Sequence, residues 1–287
     1  MGVSVGVLDV GSNTIRLLVA RVDDGVIVPL AGERVRLALG GEIERTGRLS
    51  RTSIATAAKA VRKLCSIARE GGVESLDVFL TAPGRQSANA DEVVAALQRA
   101  AKQPVRVLTT EEEGRLAYAG AVATADIELP ERIAVCDVGG ASTEIAVGAP
   151  GAGPDWVASV DLGSVRLTAR APDVDTARRE AALAFAGVKP PSVELALAVG
   201  GSARAARRLV GSWLGEPELT EALRLVAGVE ARELSRRFGV HRSRAPIVPA
   251  GVAILDCVHT LLGVPMHVCS GGIREGAVLQ RVAARAA

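Results

Sequence analysis

The sequence predicts a mixed α/β protein of two domains, and three observations lead to this fold class. A chain of 287 residues is long enough for two domains of ordinary size. Short apolar runs that end in glycine turns alternate with helical stripes along the chain. A strand–turn–strand pattern at residues 9–14 recurs 128 residues later, beginning at Asp137. The repeat indicates an internal duplication in which each copy heads one α/β domain.

The composition excludes several classes of protein. Hydrophobic residues make up 48% and charged residues 23%, as in ordinary globular proteins. A net charge of +2 argues against DNA as a partner, and 2% aromatic residues argue against base stacking with single strands. The four cysteines and three histidines are scattered, which predicts reduced thiols and no structural zinc site. Because no basic leader and no uncharged membrane-spanning stretch is found, we expect a cytoplasmic protein without a membrane partner.

Helical and extended segments alternate between the two copies of the repeat. Apolar residues at helical spacing predict a helix at 50–69, and Gly71 marks its end. Asn89 is expected to cap the next helix, whose first turn is acidic. The other segments predicted for this half are strands at 76–81 and 105–108 and a helix at 110–123.

The second half follows a similar plan. Strands are predicted at 195–199 and 266–269, and helices at 203–210, 220–238 with a break near Gly228, 251–262, and from Gly272 onward. The domain boundary is expected in the segment 124–131, so that the domains are 1–124 and 125–287. The last helix, about 275–287, is a candidate to pack back on the first domain.

The two repeated turns are candidate phosphate cradles. Consecutive backbone N–H groups in tight turns hold anions, and glycine allows the positive φ and close approach that such turns use. The alternative is a plain hairpin. A third glycine turn begins at Gly200, and none of these turns matches a Walker or dinucleotide-binding motif. The predicted phosphate-binding residues are Gly11, Ser12, Asn13 and Thr14 in the first turn and Gly139, Gly140, Ala141 and Ser142 in the second.

One aspartate precedes each turn. Asp9 and Asp137 each lie at the end of an apolar strand, where a buried carboxylate is costly unless it is paired or liganded. Either these side chains accept N–H bonds within their own turns, or they hold Mg²⁺, usually through water, beside phosphates.

The motifs as a set resemble one protein family. In chain order they are DVGSNT at 9–14, TAPGRQSAN at 81–89, EEEGRL at 111–116, DVGGASTE at 137–144, DLGSVRLT at 161–168 and SGGIREG at 270–276. This order is similar to that of the exopolyphosphatase and guanosine pentaphosphate phosphohydrolase (Ppx/GppA) family, in its short two-domain form. The resemblance spans nearly the whole chain, and the segment LGSVRLT is its most distinctive part.

The resemblance implies an actin-like, sugar-kinase-like fold of two ribonuclease-H-like domains with a phosphate cleft between them. It also implies hydrolysis of phosphoanhydrides with Mg²⁺, or Mn²⁺, as the cofactor. The substrate is expected to be inorganic polyphosphate, with guanosine pentaphosphate as the alternative, and a homodimer is compatible with this form. A further alternative is an actin-like ATP-binding phosphotransferase, in which the turn at 200–202 would form the floor of an adenosine pocket.

The resemblance also implies roles for individual residues. Glu113 is the expected general base, whereas the residues alone favour a capping box in which Thr110 is the N-cap and Glu113 the third helical residue. Arg85 is expected to clamp the phosphate being cleaved; its alternative is a solvated loop charge. Glu144 is expected to help hold the water or the metal, or else to be a strand-edge carboxylate.

Two further expectations concern the second domain. Gly163, Ser164 and Arg166 are expected to add N–H and cationic contacts farther along the cleft. Ala141 stands where the family has a third glycine, and alanine tolerates a positive φ poorly. We therefore expect a small change in loop shape at this position.

Overall fold

The computed structural model describes residues 3–286, which form two compact units. Unit 1 comprises residues 3–123 together with 273–286, and unit 2 comprises residues 124–272. The last helix therefore belongs to unit 1, although it follows unit 2 in the chain.

Unit 1 is built on a five-stranded sheet in the order β3-β2-β1-β4-β5. The first three strands are antiparallel neighbours, and β4 and β5 are added in parallel. These strands are β1 (Ser4–Val10), β2 (Thr14–Asp23), β3 (Val26–Arg36), β4 (Ser75–Leu80) and β5 (Arg106–Val107).

Helices cover both faces of this sheet, because β1 is apolar on both sides. Leu8 lies in a core that faces α2 and α4, whereas Val7 lies in a second core that faces α5 and α12. Gly276 lets α12 pack closely on α5, since a Cβ there would overlap the backbone carbonyl of Leu116. The helices of unit 1 are α1 (Leu39–Thr46), α2 (Arg51–Glu70), α3 (Ala82–Gln86), α4 (Ala90–Ala101), α5 (Thr110–Ala123) and α12 (Ile273–Ala286).

Unit 2 repeats this plan with one additional edge strand. Its sheet order is β10-β11-β9-β6-β7-β8, in which β6, β7 and β8 are antiparallel neighbours and β9 and β11 are parallel to β6. The strands are β6 (Ile133–Val138), β7 (Thr143–Ala149), β8 (Gly153–Val160), β9 (Leu195–Val199), β10 (Trp213–Leu214) and β11 (Met266–Val268).

The helices of unit 2 enclose an aliphatic core. Helix α11 supplies much of it, with Val252 and Leu255 fully buried. Residues 245–262 are long and apolar enough to span a membrane, but 56% of them are buried in the fold, as in the core helix of a globular domain. The helices are α6 (Ser164–Arg170), α7 (Val174–Phe185), α8 (Gly200–Val210), α9 (Glu216–Ala227), α10 (Ala231–Phe238) and α11 (Val248–Leu262), the last preceded by a 3₁₀ turn (Ala245–Ile247).

The shared strand order confirms the predicted fold class. Each unit is a mixed α/β body in which three antiparallel strands are extended by two parallel ones, as expected for ribonuclease-H-like domains, and unit 2 adds β10 antiparallel to β11. The elements that were not predicted are strands β3, β8 and β10 and helices α1, α3, α6 and α7, and helix α9 begins four residues before the predicted start at Thr220. The break near Gly228 and the helix at 110–123 are as predicted.

Candidate functional site

The two repeated turns close in the same way. In the first turn the Gly11 N–H donates to the Thr14 carbonyl at 3.2 Å, and in the second the Gly139 N–H donates to the Ser142 carbonyl at 3.0 Å. Both bonds join positions that correspond under the 128-residue repeat. The duplication therefore extends to the hydrogen bond that closes each hairpin.

The glycines of these turns serve close approach and not a left-handed backbone. Within residues 3–286, neither Gly11 nor Gly139 nor Gly140 has a positive φ, so that part of the turn prediction was wrong. A Cβ at Gly139 would lie 2.9 Å from the Ser142 carbonyl oxygen, which is too close. Ala141 does not have a positive φ either, so alanine fits at this position without the expected strain.

The second turn is supported from behind by the start of α6. The Ser164 N–H and hydroxyl both donate to the Gly139 carbonyl, at 3.0 and 3.1 Å, and the Val165 N–H donates to the Gly140 carbonyl at 2.8 Å. Gly163 packs on the flat face of the Gly140 peptide, where a Cβ would overlap the backbone. Gly163 and the buried Ser164 thus hold the turn in place, which is a supporting position and not an exposed one.

The first turn is supported in the same manner by the segment that leads into α1. The Gly40 N–H donates to the Ser12 carbonyl at 2.7 Å, and the Leu37 N–H donates to the Asn13 carbonyl at 3.2 Å. Because the N–H and C=O of a trans peptide point in opposite directions, tying these carbonyls inward turns the following N–H groups outward. Both turns therefore present backbone donors on the side away from their support.

The residues opposite the two aspartates differ in charge. In unit 1 Asp9 lies opposite Arg16 across the β1–β2 ladder, whereas in unit 2 Asp137 lies opposite Glu144 across the β6–β7 ladder. Residues directly opposite in an antiparallel pair share one face of the sheet, with Cβ atoms about 5 Å apart. Unit 1 thus has a basic residue opposite its aspartate, and unit 2 has a second carboxylate there.

The carboxylates of unit 2 are buried and closely packed. Asp137 is 9% exposed and Glu144 3%, and the Ser159 hydroxyl donates to Glu144 at 2.9 Å. Gly200 has a φ of +84° and a Cβ there would overlap the Asp137 carboxylate, so both its conformation and its contact require glycine. Burial raises the pKa of the Cys136 thiol well above its ordinary value, and the negative charges of Asp137 and Glu144 raise it further.

Glu113 and Arg85 form an ion pair in unit 1. Glu113 lies in the first turn of α5 and is only 5% exposed. The expected capping box is displaced by one residue: the Glu112 N–H donates to the Thr109 hydroxyl at 3.1 Å, and the Thr109 N–H donates to the Glu112 carboxylate at 2.7 Å. Assigning the capping role to Glu113 was therefore wrong, because Glu112 fills it and Glu113 faces Arg85.

Arg85 is not a solvated loop charge. Its side chain is 20% exposed, and Nη1 donates both to Glu113 and, at 2.6 Å, to the Leu108 carbonyl. Its Nη2 is buried and makes no hydrogen bond to any residue in the described part of the chain. A guanidinium that has one nitrogen already hydrogen-bonded and another without a partner can donate a hydrogen bond to an anionic oxygen.

Asn89 has a role that the sequence did not reveal. It precedes α4, but its side chain makes no capping bond within the described residues, contrary to expectation. Its amide accepts from the Leu49 N–H and donates to the Leu49 carbonyl, both at 3.0 Å, and it also contacts Ser87 and Glu92 at 2.7 and 2.9 Å. Asn89 therefore fixes the segment after α3, the short helix that carries Arg85, to the loop before α2.

The remaining candidate positions lie in unit 2. Arg166 is buried and forms an ion pair with the exposed carboxylate of Asp161, while its Nη1 also donates to the Asp161 carbonyl at 3.0 Å. At the third glycine turn, the guanidinium of Arg244 lies directly against Gly201, where it would overlap a Cβ. This face of Gly201 is thus covered by a side chain, which disfavours its use as the floor of a nucleoside pocket.

The chain matches the model of a known protein family. The model of the Ppx/GppA phosphatase family matches residues 18–284. The chain belongs to this family. The family predicted from the motifs is confirmed, and so is the enzyme class, because a Ppx/GppA phosphatase is a phosphoanhydride hydrolase.

Known Ppx/GppA proteins resemble the chain over almost its full length. Exopolyphosphatase 1 of Mycobacterium tuberculosis is 26% identical, over 97% of this chain and 88% of that protein. The solved structure of a PPX-GPPA enzyme from Aquifex aeolicus has a TM-score of 0.82 at 25% identity, over 97% of this chain and 99% of that one. An exopolyphosphatase from Cytophaga hutchinsonii has a TM-score of 0.87 at 19% identity, over 98% of each chain, which shows the shared fold.

The donor set of unit 2 fits a hard divalent cation. Asp137 and Glu144 offer two neighbouring carboxylates, the ligand type that Mg²⁺ prefers. Among the residues described, no group of three or more His, Cys, Asp and Glu side chains could hold a metal ion. Water and substrate oxygens would therefore complete the shell, as is usual for Mg²⁺ at phosphate sites.

Proposed function

We propose that the chain is a Mg²⁺-dependent exopolyphosphatase that hydrolyses the terminal phosphoanhydride of inorganic polyphosphate, with Glu113 as the general base. One observation carries this proposal: Glu113 is buried against Arg85, while the neighbouring Glu112 takes over the capping of α5. Because Glu113 does not cap α5 and is buried beside a cation, we infer that its carboxylate serves catalysis and not helix stability.

The reaction needs a positioned water and stabilisation of the charge on the transferred phosphoryl group. In the proposed mechanism Glu113 accepts a proton from the attacking water, and the water oxygen forms a bond to the terminal phosphorus. The bond from that phosphorus to the bridging oxygen breaks, so that orthophosphate and a chain shortened by one phosphate leave. Arg85 donates through Nη2 to the terminal phosphoryl oxygens, where negative charge is highest.

The two turns are proposed to bind phosphoryl oxygens through their outward N–H groups. The contributing residues would be Gly11, Ser12, Asn13 and Thr14 in unit 1 and Gly139, Gly140, Ala141 and Ser142 in unit 2. In unit 2, Asp137 and Glu144 would hold Mg²⁺, or Mn²⁺, and in unit 1 Asp9 would serve as a cation ligand; a bound cation would neutralise phosphate charge. Ser164 and Gly163 support the second turn from behind.

The substrate is proposed from the family and from the relatives that carry the name exopolyphosphatase. Guanosine pentaphosphate stays as the alternative, since both substrates end in the same anhydride. Phosphate release from tripolyphosphate, from long-chain polyphosphate and from guanosine pentaphosphate, each with and without Mg²⁺, separates the two. Release only from the nucleotide would overturn the polyphosphate assignment, and transfer of phosphate from ATP to a sugar would overturn hydrolysis itself.

Two further parts of the proposal concern the whole molecule. We propose that the protein is cytoplasmic, which cell fractionation tests, and that it forms a homodimer, which light scattering on the purified chain tests. A membrane-bound fraction or a monomer at all concentrations would contradict them.

A further inference from the structure

Unit 2 contains a basic cavity that has no part in the function proposed above. The cavity has a volume of about 790 Å³ and is formed by α10 and the loop that follows it. A volume of this size is typical of pockets that bind small molecules. Its side-chain lining is Arg232, Ser235, Arg236, Val240, His241 and Arg242, with no acidic residue among them.

One face of α10 is directed at this cavity. Arg232, Ser235 and Arg236 are spaced three and four residues apart, which places them on the same side of a helix. Arg242 and His241 line the cavity from the following loop. The side chains of two separate segments thus converge on one space.

The charges of the lining are only partly neutralised. Glu233 pairs with Arg236 at 2.9 Å and with Arg237 at 3.9 Å. Arg232 and Arg242 form no ion pair with any residue in the part of the chain that the structure describes. Two uncommitted guanidinium groups therefore face a cavity without a compensating carboxylate, and guanidinium is the side chain best shaped to hold phosphate oxygens.

Ser235 is a second and independent sign of a ligand. Its hydroxyl oxygen is buried and makes no hydrogen bond to any of the residues described. A buried hydroxyl without a partner lowers stability, because its bonds to water have not been replaced. An anionic oxygen held between the arginines would accept this bond.

The lining also indicates the class of ligand. Apart from His241 it has no aromatic ring on which a nucleobase could stack, and it has no amide or carboxylate side chain to accept the N–H groups of guanine. We propose that this cavity is a second anion site that binds an inorganic polyvalent phosphate, separate from the site of hydrolysis. The proposed function suggests the ligand, but the existence of the site does not depend on it.

The test uses methylenediphosphonate, a polyvalent anion whose P–C–P link cannot be hydrolysed. Calorimetric titration of the full chain is compared with the double variant Arg232→Ala/Arg242→Ala. A matched control, Arg62→Ala/Arg99→Ala, removes two exposed helical arginines of unit 1 and so the same net charge. Thermal unfolding checks that each variant folds.

We expect two binding events for the parent chain and the control, and one for the cavity variant, whose second event weakens at least about tenfold. Arg232→Lys/Arg242→Lys keeps the charge and should recover part of the binding. Phosphate release from tripolyphosphate should stay within about twofold of the parent in all variants.

Equal titrations of the parent and the folded cavity variant would overturn this inference and leave the hydrolase proposal untouched. Loss of the second event in a chain that hydrolyses neither polyphosphate nor guanosine pentaphosphate would support the site while removing the proposed function. If the second binding event weakened equally in the arginine control and in the cavity variant, the binding would come from general charge attraction, and the inference would be overturned.

Discussion

The two turns close with the same backbone hydrogen bond but differ in the charge of the residue that lies opposite each aspartate. Asp9 lies opposite Arg16 in unit 1, and Asp137 lies opposite Glu144 in unit 2, at positions related by the same repeat. The hairpin closure and the support from behind are conserved between them. A duplicated turn can thus keep its geometry while one copy has an arginine opposite its aspartate and the other has a glutamate there.

That difference suggests that the two units have different roles in the proposed reaction. Like charges directly opposite each other in a sheet are destabilising, so unit 2 gains most from a bound cation. Unit 1 has an internal cation at its turn and holds the Glu113–Arg85 pair at the start of α5. We therefore expect the proton-accepting group in unit 1 and the main response to Mg²⁺ in unit 2.

The largest expected effect comes from the base in unit 1. Glu113→Gln should lower turnover by roughly 10²–10⁴-fold, the usual size of a general-base contribution. The Mg²⁺ requirement should stay the same, because the change leaves Asp137 and Glu144 intact. Steady-state phosphate release over a range of Mg²⁺ concentrations measures both quantities.

The adjacent glutamate is the matched control for this variant. Glu112→Gln keeps a side chain that can complete the capping box with Thr109, so it should retain turnover within a few fold. If both variants had the same activity as the parent chain, the buried pair would have no catalytic role.

The second effect concerns the carboxylates of unit 2. Asp137→Asn and Glu144→Gln should each raise the Mg²⁺ concentration for half-maximal activity by roughly tenfold to a hundredfold. In EDTA, Glu144→Gln should also raise the melting temperature, since it removes one of two opposed negative charges. Differential scanning fluorimetry with and without Mg²⁺ gives a readout that does not depend on activity.

The same measurement on Asp9 tests whether unit 1 responds to Mg²⁺ as strongly as unit 2. Asp9→Asn removes a carboxylate that faces an arginine, so its effect on the Mg²⁺ response should be smaller than that of Asp137→Asn. A larger shift for Asp9→Asn would place the main cation site in unit 1.

A smaller effect is expected at Asn89, which positions the segment that carries Arg85. Asn89→Ala removes both bonds to the Leu49 backbone, and we expect turnover to fall roughly tenfold because effects of misplacement are smaller than loss of the base. The free energy of unfolding should fall by about 1–3 kcal/mol. The kinetic constants and urea unfolding are measured on the same preparation.

A stability control separates positioning from general destabilisation. Ser50→Ala removes the N-cap of α2 and should cost about 1 kcal/mol while leaving turnover unchanged. Asn89→Asp keeps the acceptor for the Leu49 N–H and should recover part of the turnover. If Ser50→Ala lowered turnover as much as Asn89→Ala, the role of Asn89 would be structural.

The smallest effect compares the glycines themselves. Gly139→Ala should destabilise by about 1–3 kcal/mol, because its Cβ would lie 2.9 Å from the Ser142 carbonyl oxygen. Gly11→Ala should cost less, since the corresponding distance to the Thr14 oxygen is 3.4 Å. Equal losses in urea unfolding would show that the two turns are more alike than their contacts indicate.

Much of this protein could be predicted from local sequence. Periodicity located the helices at 50–69 and 110–123 and the strands of the repeat, because backbone period and side-chain burial are encoded within a few residues. The strand β3 was not predicted; it is an edge strand with many exposed positions, so its apolar alternation is weak.

The candidate site could be predicted only as a set of residue types. The motifs identified Glu113 and Arg85 as candidate site residues. Because 28 positions separate them, local sequence patterns could not predict that they form an ion pair. Glu112 and Glu113 each follow a threonine by three positions, so either could have completed a capping box, and the structure shows that Glu112 does so.

Local sequence specifies the duplicated strand–turn–strand units and their glycine turns, because these depend on interactions within a few residues. Tertiary structure decided which charges face each other, since strand register places Arg16 opposite Asp9 and Glu144 opposite Asp137. It also decided that α12 joins unit 1, because its apolar face is buried against α5 and β1, far away in the chain. Electrostatic balance and burial depend on such long-range neighbours, which local patterns do not encode.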